Sequence, residues 1–341
     1  MRLILLLVFG ISLLGQRGYG AIDVPVEADT FAHAFQTATA TPNSEIHLSA
    51  PVTEAVSVGA NNTSLTITGN GMYGSSIYLN TSNSTFTVGS GLVTPLVIKN
   101  LKIVHGATSG GNTFQWTGLG VGSTVLLQNV WLDQRSTTNA CVFLNVILTT
   151  PNQFTMNIYK VTRTGASQGV RQFAAIVSTD VINLRNGLLI NETALGEGFN
   201  NSGSVHTSSI WKITNATVSG FDKAYSSVGV GTVVNTIFTG CTTSQSLTAP
   251  ASTSDFTYMG RTNSIANPGT GSITITSART FCDPVNYYIS PASLTLNAGV
   301  SIDGVTGVDV GLNGVMQGAS GILGMGCNPY SIAFCGGYNG R

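Results

Sequence analysis

Charge is what this chain has least of. Only 8% of its 341 residues are Asp, Glu, Lys or Arg, and the formal net charge is zero. Arg2 and Arg17 fall in the leader described below, so the mature chain carries about −2. A chain without a basic stripe has nothing to neutralise phosphates, which excludes nucleic acid and anionic membrane surfaces as partners. Its surface must be covered by Ser, Thr, Asn and Gly, and such a surface tolerates self-association because little charge repulsion opposes it.

Long apolar runs are missing as well. The one run of note, Leu3 to Leu14, is too short to span a bilayer. With Arg2 before it and Gly18-Tyr19-Gly20 offering small residues at −3 and −1, residues 1–20 read as a secretory signal peptide, and the mature protein is expected outside the cell. No later segment reads as transmembrane. Cysteine is scarce and odd in number: Cys141, Cys241, Cys282, Cys327 and Cys335. No CxxC or Cys/His spacing points to zinc or haem, so neither metal nor cofactor is expected. The secreted context permits disulfides. Cys327 and Cys335 are close enough to close a small C-terminal loop, Cys241 with Cys282 is a second pairing, and Cys141, beside Phe143, reads as a buried free thiol.

What is present is a repeat. Leu96, Ile98, Asn100, Leu101 and Ile103 place apolar residues four and two before an asparagine and one and three after it. This is a period-2 strand whose phase changes at a corner. The pattern returns around Asn129, Asn186 and Asn215, with Ile158 at the corner between the first two of these and weaker copies at Gly69 and Asn235. The corners at 100, 129, 158, 186 and 215 are 29, 29, 28 and 29 residues apart. A second ladder, Phe86, Phe114, Phe143 and Phe173, runs 13 to 15 residues ahead of the corners at 100, 129, 158 and 186, and Phe221 stands 14 ahead of 235. Strand-rich repeats of this length predict a parallel β-helix, in which the corner asparagines stack about 4.8 Å apart and bond through their amides. Thr214, one residue before a corner, is expected to face solvent.

The fold class expected is all-β, a right-handed parallel β-helix (solenoid) with a short N-terminal capping helix. Residues 21–45 form the cap, where Ala32 to Ala38 is amphipathic with Phe31 and Phe35 at i,i+4. Residues 46–290 form the helix of strands, regular to about 240 and irregular from the Ser/Thr-rich stretch Ser244 to Thr257, with a further strand at Ile273 to Thr276. Residues 291–341 are a closing segment and a Gly-rich tail, the tail from Gly314 a loop or partner-binding segment.

Three motifs carry a family resemblance: Glu45-Ile46-His47-Leu48, then Leu65-Thr66-Ile67-Thr68-Gly69-Asn70-Gly71, then Ile98-Lys99-Asn100-Leu101-Lys102-Ile103. Together they resemble the opening coils of secreted right-handed parallel β-helix proteins of the pectate-lyase-like superfamily. The later Ser290-Pro291-Ala292, Asn297-Ala298-Gly299 and Asp309-Val310-Gly311 are similar to the closing segment of bacterial β-helix surface proteins, with Asn297 where Asp is usual. The resemblance implies a fold and says little about activity.

Enzymes of this fold that act on acidic polysaccharides cluster carboxylates with an Arg or Lys base on one face. Here no two carboxylates stand in a paired motif, and the signatures of pectin esterases and polygalacturonases are missing. If the chain is an enzyme, its candidates are Asp133, Arg135, Lys160, Arg163 and Arg185, which follow ladder strands and would face outward as solvated turn residues otherwise. Lys102, Trp131 and Lys160 stand two after successive corners, where an indole flanked by lysines is a candidate carbohydrate-binding platform. Sequons occur at Asn61, Asn62, Asn80, Asn83, Asn191, Asn200 and Asn215. The sequence therefore reads as a non-enzymatic secreted β-helix, a cell-surface, matrix or fibre component that binds extracellular polysaccharide or copies of itself head to tail; the alternative is a polysaccharide lyase or glycoside hydrolase.

Overall fold

At every expected corner except Gly69 the backbone turns left-handed: φ is 58° at Asn100, 54° at Asn129, Ile158 and Asn186, 52° at Asn215 and 50° at Asn235. Asparagine enters this region at low cost because its short polar side chain bonds locally, whereas a β-branched residue there is strained. The turn redirects the strand without interrupting its ladder. Leu96 and Ile98 point inward before the corner, and Leu101 and Ile103 point inward after it.

The computed structural model describes residues 22–24, 30–39, 44–59, 64–89, 95–119, 124–147, 153–173, 182–202, 211–247, 255–257, 259–262, 269–275, 281–283, 287–289 and 293–294. The expected signal peptide at residues 1–20, Cys327, Cys335 and the tail from Gly314 lie outside the described residues.

Successive corner strands pair in parallel, Leu96 to Val125 to Phe154 to Ile182 and Leu101 to Val130 to Tyr159 to Gly187. Fifteen described strands join one sheet in this way, with the corner dividing it into two legs. Eight more, from Val56–Val58 to Thr243–Leu247, form a second parallel sheet in sequence order. Each chain pass therefore supplies one strand per side, and the molecule is a parallel β-solenoid. Gly187 belongs to this logic: a Cβ there would lie 1.9 Å from Tyr159 Cζ, so the large ring of one coil fills the space its neighbour leaves.

The amide ladder forms in two runs. Asn129 Nδ2 donates to Asn100 Oδ1 at 2.8 Å; Asn215 Nδ2 donates to Asn186 Oδ1 at 3.1 Å, and Asn186 Nδ2 to Asn157 Oδ1 at 2.8 Å. Asn157 thus substitutes one position early for the missing corner asparagine at 158.

The core is a column of rings and branched aliphatics. Phe31, Phe86, Phe114 and Phe154 follow one another at 6.5, 5.6 and 5.8 Å, and Phe199, Trp211, Tyr225 and Phe256 at 5.9, 6.5 and 5.4 Å. Each such burial stabilises by about 2 kcal/mol. The expected phenylalanine ladder holds at Phe86, Phe114 and Phe221, all buried in the core, and fails at the two members between them. Phe114 is in register with Val142, so Phe143 falls one position off and points outward, as does Phe173. A slip of one residue exchanges the faces of a strand.

Helix Phe31–Thr39 closes the N-terminal end, burying Phe31, Ala34 and Ala38. Thr30 Oγ1 accepts the His33 amide at 3.2 Å and Glu54 Oε1 the Phe31 amide at 2.5 Å, which satisfies two amides of the first turn. Strand Ile22–Val24 precedes the helix and pairs with Ser44–Leu48, so the segment expected to be only a cap also carries the first strand. At the other end the stretch expected to be irregular carries strands at both of its ends: Thr243–Leu247 continues the second sheet, and Asp255–Thr257 pairs with Thr232 to Val234, with Phe256 inward. Ile273–Thr274 pairs with Gly260–Arg261 as a strand. An antiparallel pair, Phe281–Asp283 with Tyr288–Ile289, folds back over the outer side of the last coils; there Phe281 meets Ile237 and Ile275, and Tyr287 Oη donates to Ser219 Oγ at 2.8 Å.

Candidate functional site

Lys102, Trp131 and Lys160 do come together, in register on the outer side of the second leg. Lys102 Nζ sits 3.4 Å from the indole centroid and Lys160 Nζ 4.7 Å, one from the coil before and one from the coil after. Tyr73 meets the ring edge-on at 5.5 Å, and Trp131 Nε1 donates to Thr162 Oγ1 at 2.8 Å. The indole is engaged by its own chain on both coil-facing sides, which leaves little ring surface for a sugar.

Asp133 lies two residues on, on the same side, with its side chain only 3% exposed. Its carboxylate takes Lys102 Nζ at 3.2 Å, Arg135 Nη2 at 3.1 Å and Thr162 Oγ1 at 2.8 Å, while Arg135 also reaches Glu192 at 3.8 Å. Three donors therefore meet this buried carboxylate and hold it in place. The other two candidates are elsewhere. Arg185 lies before the corner, on the first leg, in register with Asn157 and Thr214.

Arg163 corrects the expectation most clearly. It shares the parity of Val161, so it points into the solenoid and is 1% exposed. Its guanidinium donates to the carbonyls of Gln168 at 2.6 Å, Thr164 at 3.4 Å, and Ser136 and Asn139 at 3.5 Å. Burial pulls its pKa down to about 10. It is one rung of an interior polar column, His105, Gln134, Arg163 and Asn191, whose members are in register. Gln134 Nε2 donates to the carbonyls of Gly111, Asn139 and Ala140, and Asn191 Nδ2 to that of Gly165. His105 is held below the ordinary histidine range by desolvation. The column satisfies carbonyls of the turns between the two sheets that would otherwise be buried unpaired. Strand parity, counted past the last aliphatic residue, is the signal that finds it.

A different surface was not anticipated. The outer side of the eight-stranded sheet presents a line of in-register residues: Ser57, Thr87, Gln115, Phe143, Arg171 and Asn200. At one end it opens into a groove of about 500 Å³ whose lining includes Ser57, Ser84, Thr87, Asn112, Gln115 and Asn139. Beside the groove stand Phe143 and Phe173, 6.0 Å apart, with the Arg171 guanidinium 5.8 Å from the first ring and 4.8 Å from the second. Beyond them Glu197 accepts from Lys223 at 3.3 Å, Gln168 at 3.3 Å and Asn200 at 2.5 Å.

Among the described residues no three His, Cys, Asp or Glu side chains come together as a metal would require, and no helix is long and apolar enough to cross a membrane. Cys141 is a buried free cysteine whose thiol is pushed up to about 12 by desolvation. The Cys241 thiol is buried and pushed up to about 11, and the side chain of Cys282 lies outside the described residues. Of the sequons, Asn80 and Asn83 are exposed, whereas Asn191, Asn200 and Asn215 are buried and bonded.

Comparison of the chain with models of known protein families, with curated proteins and with solved structures finds no match.

Proposed function

We propose that this chain is a secreted, non-enzymatic β-solenoid that serves as a cell-surface, matrix or fibre component and binds extracellular carbohydrate or copies of itself. The resemblance of its first coils to the pectate-lyase-like superfamily, and with it the right-handed sense, belongs to the same reading. One observation carries it: the residues best suited to acid–base chemistry are committed to holding the solenoid together. Asp133 is closed by Lys102, Arg135 and Thr162, and Arg163 is buried on turn carbonyls. A glycosidase needs two carboxylates across one bond, and on the outer side of the second sheet Glu197 is the only one among the described strand residues. The leader at residues 1–20 supports export.

The test is an assay of residues 21–341 on polygalacturonate, alginate and neutral glycans, with and without calcium. No new reducing ends or unsaturated products are expected. A turnover that disappears in Asp133→Ala or Arg135→Ala would establish the lyase or hydrolase alternative instead.

A further inference from the structure

Sugar rings bury their C–H faces on aromatic side chains and present hydroxyls at their edges, so a surface that holds them combines exposed rings with neutral donors and acceptors on a rigid frame. The outer side of the eight-stranded sheet has this composition. Phe173 is 49% exposed and Phe143 is half-buried, both carried at or beside strands of the sheet. Arg171 is held against both rings by cation–π contacts, which restrict its guanidinium before any ligand arrives.

In the groove, Gln115 Oε1 accepts from Ser84 Oγ and Asn112 Nδ2, both at 2.8 Å, so its amide nitrogen is the atom left to donate outward. Thr87, Gln115, Phe143 and Arg171 succeed one another along the solenoid axis at the strand spacing of roughly 4.8 Å. A linear polymer lying along that axis meets a new side chain at each coil.

We propose that this face, from the groove at Gln115 to Phe143, Arg171 and Phe173, binds a neutral, hydroxyl-rich polysaccharide chain. The proposal rests on the reading of the protein as a carbohydrate-binding scaffold and gives that reading a place and a ligand class. Neutrality follows from the charge on the line: it carries a single cation, itself ring-stacked, where a polyanion would demand a stripe of them. The Trp131 face is the weaker candidate because Lys102 and Lys160 already occupy its ring.

The test is native-gel retardation of residues 21–341 by hydroxyethylcellulose, xylan, mixed-linkage glucan and galactomannan, with polygalacturonate and alginate in parallel, each at low and high salt. At least one neutral polymer should retard the protein with little salt dependence. Phe173→Ala and Phe143→Ala should each weaken that retardation about tenfold, and Trp131→Ala should leave it unchanged. Melting followed by circular dichroism verifies that the variants fold, and exposed Phe173 is the safest of them. Retardation that survives the double Phe143→Ala, Phe173→Ala variant overturns the site while leaving a carbohydrate-binding scaffold intact. Salt-sensitive binding to the polyuronates alone overturns the ligand class, and no retardation by any glycan overturns the proposal while self-association remains open. Cleavage of the polymer during the assay would instead sink the non-enzymatic reading, and the effect of Phe173→Ala would still decide the site.

Discussion

Ile158 occupies a backbone conformation, φ 54°, that its β-branched side chain resists, at a corner where most coils place asparagine. A left-handed conformation costs an ordinary residue about 1–2 kcal/mol. Ile158→Asn should therefore raise stability by about 1 kcal/mol, read as a higher melting temperature; an unchanged or lower value would mean that Ile158 makes packing contacts that outweigh its strain. The reverse change is informative in graded form. Asn186 both donates to Asn157 and accepts from Asn215, while Asn129 donates one such bond. Asn186→Ala should cost about 2–3 kcal/mol and Asn129→Ala about 1–2 kcal/mol. Equal losses would break the link between amide bonding and corner stability. Thr214 was expected to face solvent and instead is 1% exposed, its hydroxyl buried without a partner. The corners were legible because Asn and flanking aliphatics repeat together. The exterior placement of Phe143 was not, because a spacing of 29 from Phe114 differs by one from the in-register 28 of Val142, and one residue decides the face.

At the scale of the element, the same parity argument separates what could be read from what could not. Arg163 was placed outside by its offset after a ladder strand, yet the alternation Tyr159, Val161, Arg163 puts it inside. Neither Phe143 nor Arg171 carries a motif, and only the register of neighbouring strands brings them together. The first strand shows a further dependence. His47 Nδ1 lies 2.5 Å from Asp23 Oδ1, and Nε2 lies 2.9 Å from Asn70 Oδ1, whose own amide nitrogen faces the Ser49 carbonyl at 3.5 Å. Both ring nitrogens face acceptors, so the imidazolium ties strand Ile22–Val24 to the two that follow. Glu45 also faces this ring and is paired with Lys99 at 3.7 Å. The Asp23 hydrogen bond is the main cause that raises the His47 pKa above 6.5, against the opposing effect of burial. A raised folded pKa means stabilisation that is complete below 6.5 and lost as pH rises through the folded value. Amide exchange in residues 22–24, corrected for intrinsic rate, should become less protected across that window, and His47→Gln should abolish the change. Protection that is flat with pH in the unmodified protein would show that the ring does not hold the strand.

A solenoid has two unlike ends, and each end is an unpaired sheet edge over an open core. In the whole molecule the N-terminal end is closed twice: the helix lays Phe31 on Phe86, and strand Ile22–Val24, three residues long, offers little edge to a second copy. Net charge near zero supplies no long-range repulsion to keep copies apart. Closure by the helix is therefore the main barrier to head-to-tail stacking, a contact that does not close on itself and grows into fibres. Deleting residues 21–43 exposes the edge of Ser44–Leu48 together with the end of the ring column, and the truncated protein should polymerise with retained β-rich circular dichroism, its sedimentation coefficient rising with concentration. Phe31→Asp, which expels the helix while keeping the first strand, should polymerise more slowly, since half of the barrier remains. If both variants stay monomeric with native circular dichroism, the end is not competent to stack, and any fibre this protein forms must be joined through its sides.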